Sequence, residues 1–245
     1  MRFSGIKKLT AMLLALTVIF SAVQTAFAET DSGVFAVGTS SDIGTSGDAS
    51  TPSDAGTSSD ADKEYIARLS VCSTMPIPPL LGHMFLYVEN LSDKPLQVGL
   101  YELPVGQGVS IGTFSLTTWD GWGIYYNVEA FRENKKDRED ILWAKSADIT
   151  AEDLEVLNNR LKGYFNYWDL FFNCTFFSYT TWNKVTGDFL VPLLFPALSH
   201  LVVMIAGGEK GTLDMYYPEG NQVFRQRGYG DSAYLESVRQ ATLDE

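Results

Sequence analysis

At Lys63 the chain changes character, and the change sets what can fold. Before it, GTSSD at 38 to 42, GTSGD at 44 to 48, TPSD at 51 to 54 and GTSSD at 56 to 60 repeat Ser, Thr, Gly and Asp almost without apolar residues. Such a stretch buries too little apolar surface to offset its chain entropy, so residues 29 to 62 are expected to be a disordered linker. After Lys63 the sequence is dense in Phe, Tyr, Trp, Leu and Val, enough for one domain with a sizeable core over residues 63 to 245.

Ahead of the linker, residues 1 to 28 place Arg2, Lys7 and Lys8 before an apolar run that ends in Ala26-Phe27-Ala28. A basic start, a short apolar stretch and a small-x-small cleavage site predict a signal peptide. The run is short for a membrane span, and no later segment is uniformly apolar over about 18 residues, so no integral membrane segment is expected once the signal is removed. The expected localisation is secreted, from a bacterium.

The net charge of −12 sets a first limit on partners. An acidic surface repels phosphate backbones and anionic lipid, which argues against nucleic acid as a partner. The sequence holds no GxGxxG, GxxxxGK[ST], HExxH or GxSxG motif and no CxxC pair. No cofactor and no metal is therefore expected.

Within the domain, strands come first and helices later. Segments 65–73, 82–90, 96–103, 108–114 and 122–131 are short, β-branched or aromatic, and separated by Pro, Gly, Asn, Ser and Asp clusters, a pattern that predicts an antiparallel meander. The link LSDKP at 91 to 95 reads as a tight turn. If Asn90 faces Pro95, the hairpin sets His83 opposite Glu102. In ITAEDLEVLNNRLKG at 149 to 163, Thr150 is a suitable N-cap with Asp153 three residues on, and Leu154, Leu157 and Leu161 recur at helical spacing. A second helix is expected to open at Asn173 or Cys174 and to stop at Gly187.

That second helix puts Cys174 in a first turn, beneath unpaired N–H groups and the positive end of the helix dipole. Both features favour a thiolate and can hold an oxyanion, with Asn173 as the capping residue. A nucleophilic thiol needs a base, and the chain has two histidines. His83 opens a half-buried strand pattern, GHMFLYVEN, where neighbouring strands can orient its ring. His200 lies in LFPALSHLVVMIAGG, an apolar stretch in which a lone polar residue usually has a structural role.

These two segments carry a resemblance. GHMFLYVEN resembles the histidine strand, and FFNCTFFSYTTWN the Asn-Cys helix, of the NlpC/P60 and papain-like peptidase superfamily. Histidine before cysteine resembles its circularly permuted branch, the lecithin-retinol-acyltransferase-like and YiiX-like proteins. The resemblance implies an α+β fold in which an antiparallel sheet carrying the His83 strand packs against the Cys174 helix. It further implies thiol hydrolysis or acyl transfer at an amide, ester or isopeptide bond, with a peptide or acyl substrate. The export signal makes peptidoglycan peptide the leading substrate class.

Those acyltransferase-like relatives carry a third catalytic residue, a histidine, on the next strand, and this chain has none there. Glu102 is the first choice for that role on the hairpin register, with Asn127 and Glu129, on the following aromatic strand, as alternatives. The rival reading is a non-catalytic secreted binding or adhesion module, stapled by a disulfide between Cys72 and Cys174.

Overall fold

The computed structural model describes residues 63–75, 82–114, 123–134, 141–164, 173–191, 193, 196–210, 213, 215–216 and 222–238. All lie in the second of two compact units, Thr57–Glu245. The signal-peptide expectation and the linker expectation, which together cover residues 1 to 62, lie outside the described residues.

The fold is α+β around a mostly antiparallel sheet. In chain order the strands are β1 (Ala67–Met75), β2 (His83–Asn90), β3 (Leu96–Val98), β4 (Tyr101–Leu103), β5 (Gly108–Phe114), β6 (Gly123–Tyr126), β7 (Ile141–Ile149), β8 (Glu209–Lys210), β9 (Val223–Arg227) and β10 (Tyr234–Val238). The helices are α1 (Val128–Asn134), α2 (Ala151–Lys162), α3 (Cys174–Thr186) and α4 (Pro196–Ile205). Eight strands form the main sheet in the order β10-β9-β6-β5-β2-β1-β7-β8, while β3 and β4 pair only with each other.

Strands β1 and β2 sit mid-sheet and are covered on both faces, which is why Met84 to Val88 read as an unbroken apolar run. On one face, cross-strand rows stack as Leu69, Val88 and Val109, then Val71, Leu86 and Ile111. Against these rows pack Phe177, Tyr179, Trp182 and Val185 of α3, Leu154, Leu157 and Leu161 of α2, and Val203 of α4. The other face carries Cys72, Phe85 and Tyr87, and further along Phe114 and Tyr125 with Val128 and Phe131 of α1.

Both long helices begin as their sequences predict. Thr150 caps α2 in a reciprocal capping box with Asp153. Asn173 caps α3, and Gly187 ends it with φ 68°, the left-handed conformation that glycine adopts without penalty.

The strand pattern needs three corrections. The first concerns 91–104, which does not lead into a hairpin with β2. The Asn90 side-chain amide donates to the carbonyls of Lys94, Leu103 and Pro104, and this folds the segment into an excursion containing the β3–β4 hairpin. The edge of β2 is thereby left for β5, with Leu86 opposite Ile111. Glu102 consequently faces Gln97 and is exposed, and the residue opposite His83 on β1 is Thr74. Second, the expected strand at 122–131 stops at Tyr126. Asn127 turns the chain with φ 68°, and Glu129 enters the first turn of α1. Third, β7 supplies the second neighbour of β1, a strand that the sequence pattern did not announce.

Candidate functional site

The site lies where β5 parts from β2. Backbone N–H groups alternate sides along a strand, and that of Asn90 donates to Gln107 at the entry to β5. The N–H of Met84, six residues earlier, therefore points to the same side. Pairing of β2 with β5 stops at Leu86 and Ile111, so the Met84 N–H has no ladder partner there. The Met84 backbone acts instead on the Cys174 thiol, pulling its pKa down.

The sulfur is placed by the start of α3. Asn173 is extended, with φ −108°, and its side-chain oxygen accepts from the N–H groups of Thr175 at 3.0 Å and Phe176 at 3.2 Å. Cys174 is the first helical residue, and the Thr175 hydroxyl also bonds its sulfur. No acidic residue occupies this first turn. Contrary to the activation expected from the helix dipole, burial pushes the thiol up to about 11; the hydrogen bonds from Met84 and Thr175 work in the opposite direction, and the charge of Glu129 adds to the rise. Desolvation of the thiol of Cys174, a residue only 5% exposed, outweighs the helix end, so the resting group is a thiol.

His83 reaches the same opening from the other side of the strand. Its ring lies 4.4 Å from that of Phe114, centroid to centroid, and stacks at 6.2 Å on Phe85. The ring also sits over Gly112, where a Cβ would stand 3.4 Å from His83 Nε2. Nε2 lies 3.3 Å from Oε1 of Glu129, and the two side chains are 13% and 5% exposed. At this separation the two side chains form an ion pair when the imidazole carries its second proton.

Of the residues singled out in the sequence, the structure brings His83 and Glu129 together at 3.3 Å, and the charge of Glu129 reaches Cys174, which Asn173 precedes as the helix cap; α3 packs on one face of the sheet and the His83 ring stacks on Phe85 of the other. Glu102 stays on the β3–β4 hairpin, its side chain exposed. Asn127 is buried, but its amide donates to the Gln222 carbonyl and serves the turn into α1. Glu102 is the first choice in the sequence only because the expected hairpin register sets it opposite His83; Asn127 followed by VEAFREN is the helix-start signal that points to the position of Glu129. His200 lies on α4, whose Ser199 touches Tyr179 and Thr175.

Cys72 and Cys174 are both free and buried, so the disulfide of the rival reading is not formed. Cys72 lies in the cluster with Phe85 and Tyr87, while Cys174 meets the strand at the Met84 N–H. Burial, with help from Glu129 and Glu89, holds the Cys72 thiol well above its usual range.

Among the described residues, no group of three His, Cys, Asp or Glu side chains is arranged to hold a metal ion, and no helix is long and apolar enough to cross a membrane. Comparison with family models, curated proteins and solved structures found no match.

Proposed function

We propose that residues 63 to 245 form an exported thiol hydrolase or acyl transferase of permuted papain-like, NlpC/P60-like type. Cys174 is the nucleophile, His83 its base, and Glu129 the carboxylate that orients the imidazole. The observation that carries this reading is the convergence at one end of β2, with the Cys174 sulfur on the Met84 N–H and the adjacent residue, His83, in contact with Glu129 at 3.3 Å. Glu129 also raises the Cys174 thiol by charge, which puts sulfur and carboxylate in one electrostatic neighbourhood.

With the thiol raised to about 11, almost no thiolate exists at neutral pH, so proton transfer must accompany attack. His83 takes the thiol proton as sulfur bonds to the substrate carbonyl carbon, and Glu129 stabilises the imidazolium. Collapse of the tetrahedral intermediate breaks the bond to the leaving amine or alkoxide, which receives the proton from His83. Water, deprotonated by the same imidazole, then hydrolyses the thioester; an acceptor amine or alcohol in its place completes acyl transfer. Signal and compartment make cell-wall peptide the leading substrate class.

The test uses p-nitrophenyl acetate as an acyl donor. Mass spectrometry of the purified protein is expected to find an acetyl group on Cys174, formed at least about tenfold more slowly in His83→Ala. Glu129→Gln is expected to slow acylation less and to shift its pH profile. A wild-type protein that takes no acetyl group on Cys174 would rule the proposal out.

A further inference from the structure

Three rows of side chains cross the sheet beneath α3, and the third breaks the pattern of the first two. Leu69, Val88 and Val109 form one row, Val71, Leu86 and Ile111 the next, and both are apolar. Two residues further on, Ser73 lies opposite Met84, and Thr113 lies two residues past Ile111, the last β5 residue paired with β2. Thr113 is 3% exposed, and its hydroxyl has no hydrogen-bond partner among the described residues. A hydroxyl stripped of water without a partner costs about 1–3 kcal/mol. The Ser73, Ser178 and Thr181 hydroxyls are buried in the same way, so it is the position of Thr113 that sets it apart.

The direction of the Met84 N–H gives Thr113 its significance. That N–H points toward β5, on the side where Thr113 follows Ile111, and the Met84 backbone is near enough to the Cys174 thiol to pull its pKa down. Ser73 is on the opposite side of Met84, across β1. We infer that the Thr113 hydroxyl is an oxyanion donor, binding the carbonyl oxygen of an ester or amide as Cys174 attacks it; this rests on the thiol-acyl chemistry proposed above. When sulfur adds to the carbonyl carbon, the C=O π pair moves onto oxygen. The Thr113 O–H then donates to that oxygen, and the pair returns as the leaving group departs. A donor satisfied only when this charge develops lowers the barrier without tightening ground-state binding.

Two reactions of the same sulfur separate this role from any other. Acetylation by p-nitrophenyl acetate passes through an oxyanion, whereas alkylation by iodoacetamide displaces iodide at a saturated carbon and forms none. In Thr113→Val, of nearly the same shape, Cys174 acetylation is expected to fall on the order of 10²-fold while alkylation, measured at one alkaline pH, stays within about twofold. Thr113→Ser is expected to recover most of the acetylation, and Ser73→Ala to leave both rates near wild type. Equal acetylation in wild type and Thr113→Val would overturn the inference and leave the nucleophile assignment standing. A matched fall in both reactions would also overturn it, by assigning the hydroxyl to the thiol or to the fold. Absence of acetylation in the wild type would remove the underlying chemistry itself.

Discussion

Helices α2 and α3 both open on a side-chain cap, yet they use it differently. On α2, Thr150 and Asp153 cap each other, Glu152 and Asp153 fill the first turn, and Arg160 and Lys162 occupy the last. The helix supplies the charges that complement its own dipole and turns a polar face outward. On α3, Asn173 caps two N–H groups, no acid follows, and Cys174, Thr175, Ser178 and Thr181 are all buried. Its N-terminus is left free of carboxylates, and its buried side carries hydroxyls and a thiol. One helix start is neutralised by its own carboxylates; the other has none in its first turn and holds a buried thiol there.

Core deletions should break the comparison most strongly. Trp182 of α3 is fully buried against the apolar rows, and Trp182→Ala is expected to cost about 3–5 kcal/mol in denaturant unfolding. Val156 of α2 is only partly buried, and Val156→Ala is expected to cost less than about 1.5 kcal/mol. Equal losses would mean that α3 is no more integral to the core than α2.

Titration sharpens the contrast next. The Cys174 thiol is raised from 9.0 to about 11 in the folded state, so its contribution is whole below pH 9 and is lost as the pH climbs through 11. Two units correspond to about 2–3 kcal/mol. Stability of Cys174→Ala should therefore decline less than that of wild type between pH 9 and 11, by roughly this amount. Parallel curves would show that burial does not hold the thiol protonated.

Caps give the smallest effects. Thr150→Ala and Asn173→Ala are each expected to cost about 1–2 kcal/mol, since each strips a partner from N–H groups. Only Asn173→Ala should also change the rate at which p-nitrophenyl acetate modifies Cys174. A change of that rate in Thr150→Ala would tie the two helix starts together in a way their geometry does not.

Much of the site was legible because its signals are local. Asn173 before Cys174 and Gly187 after Val185 mark the ends of α3 by short-range hydrogen bonding and backbone freedom, and GHMFLYVEN is a strand by its composition. Glu102 was misplaced for the opposite reason. Its pairing with His83 depended on a hairpin register, and the Asn90 amide, bonding carbonyls up to 14 residues away, diverted the chain. The sign of the Cys174 shift was also beyond local reasoning, because a helix N-terminus is visible in sequence whereas the desolvation that outweighs it is not.

By itself, then, the sequence determined where α2 and α3 start and stop, that the stretches of β1 to β6 form strands, and that a thiol heads one helix while an imidazole heads one strand. Tertiary structure decided that β5 rather than β3 lies beside β2, that Glu129 meets His83, and that Thr113 is buried just beyond the end of the β2–β5 pairing. Capping and periodicity act within a few residues and can be read in order along the chain. Strand order, burial and the end of a ladder are set by competition among distant segments for the same edge and the same core.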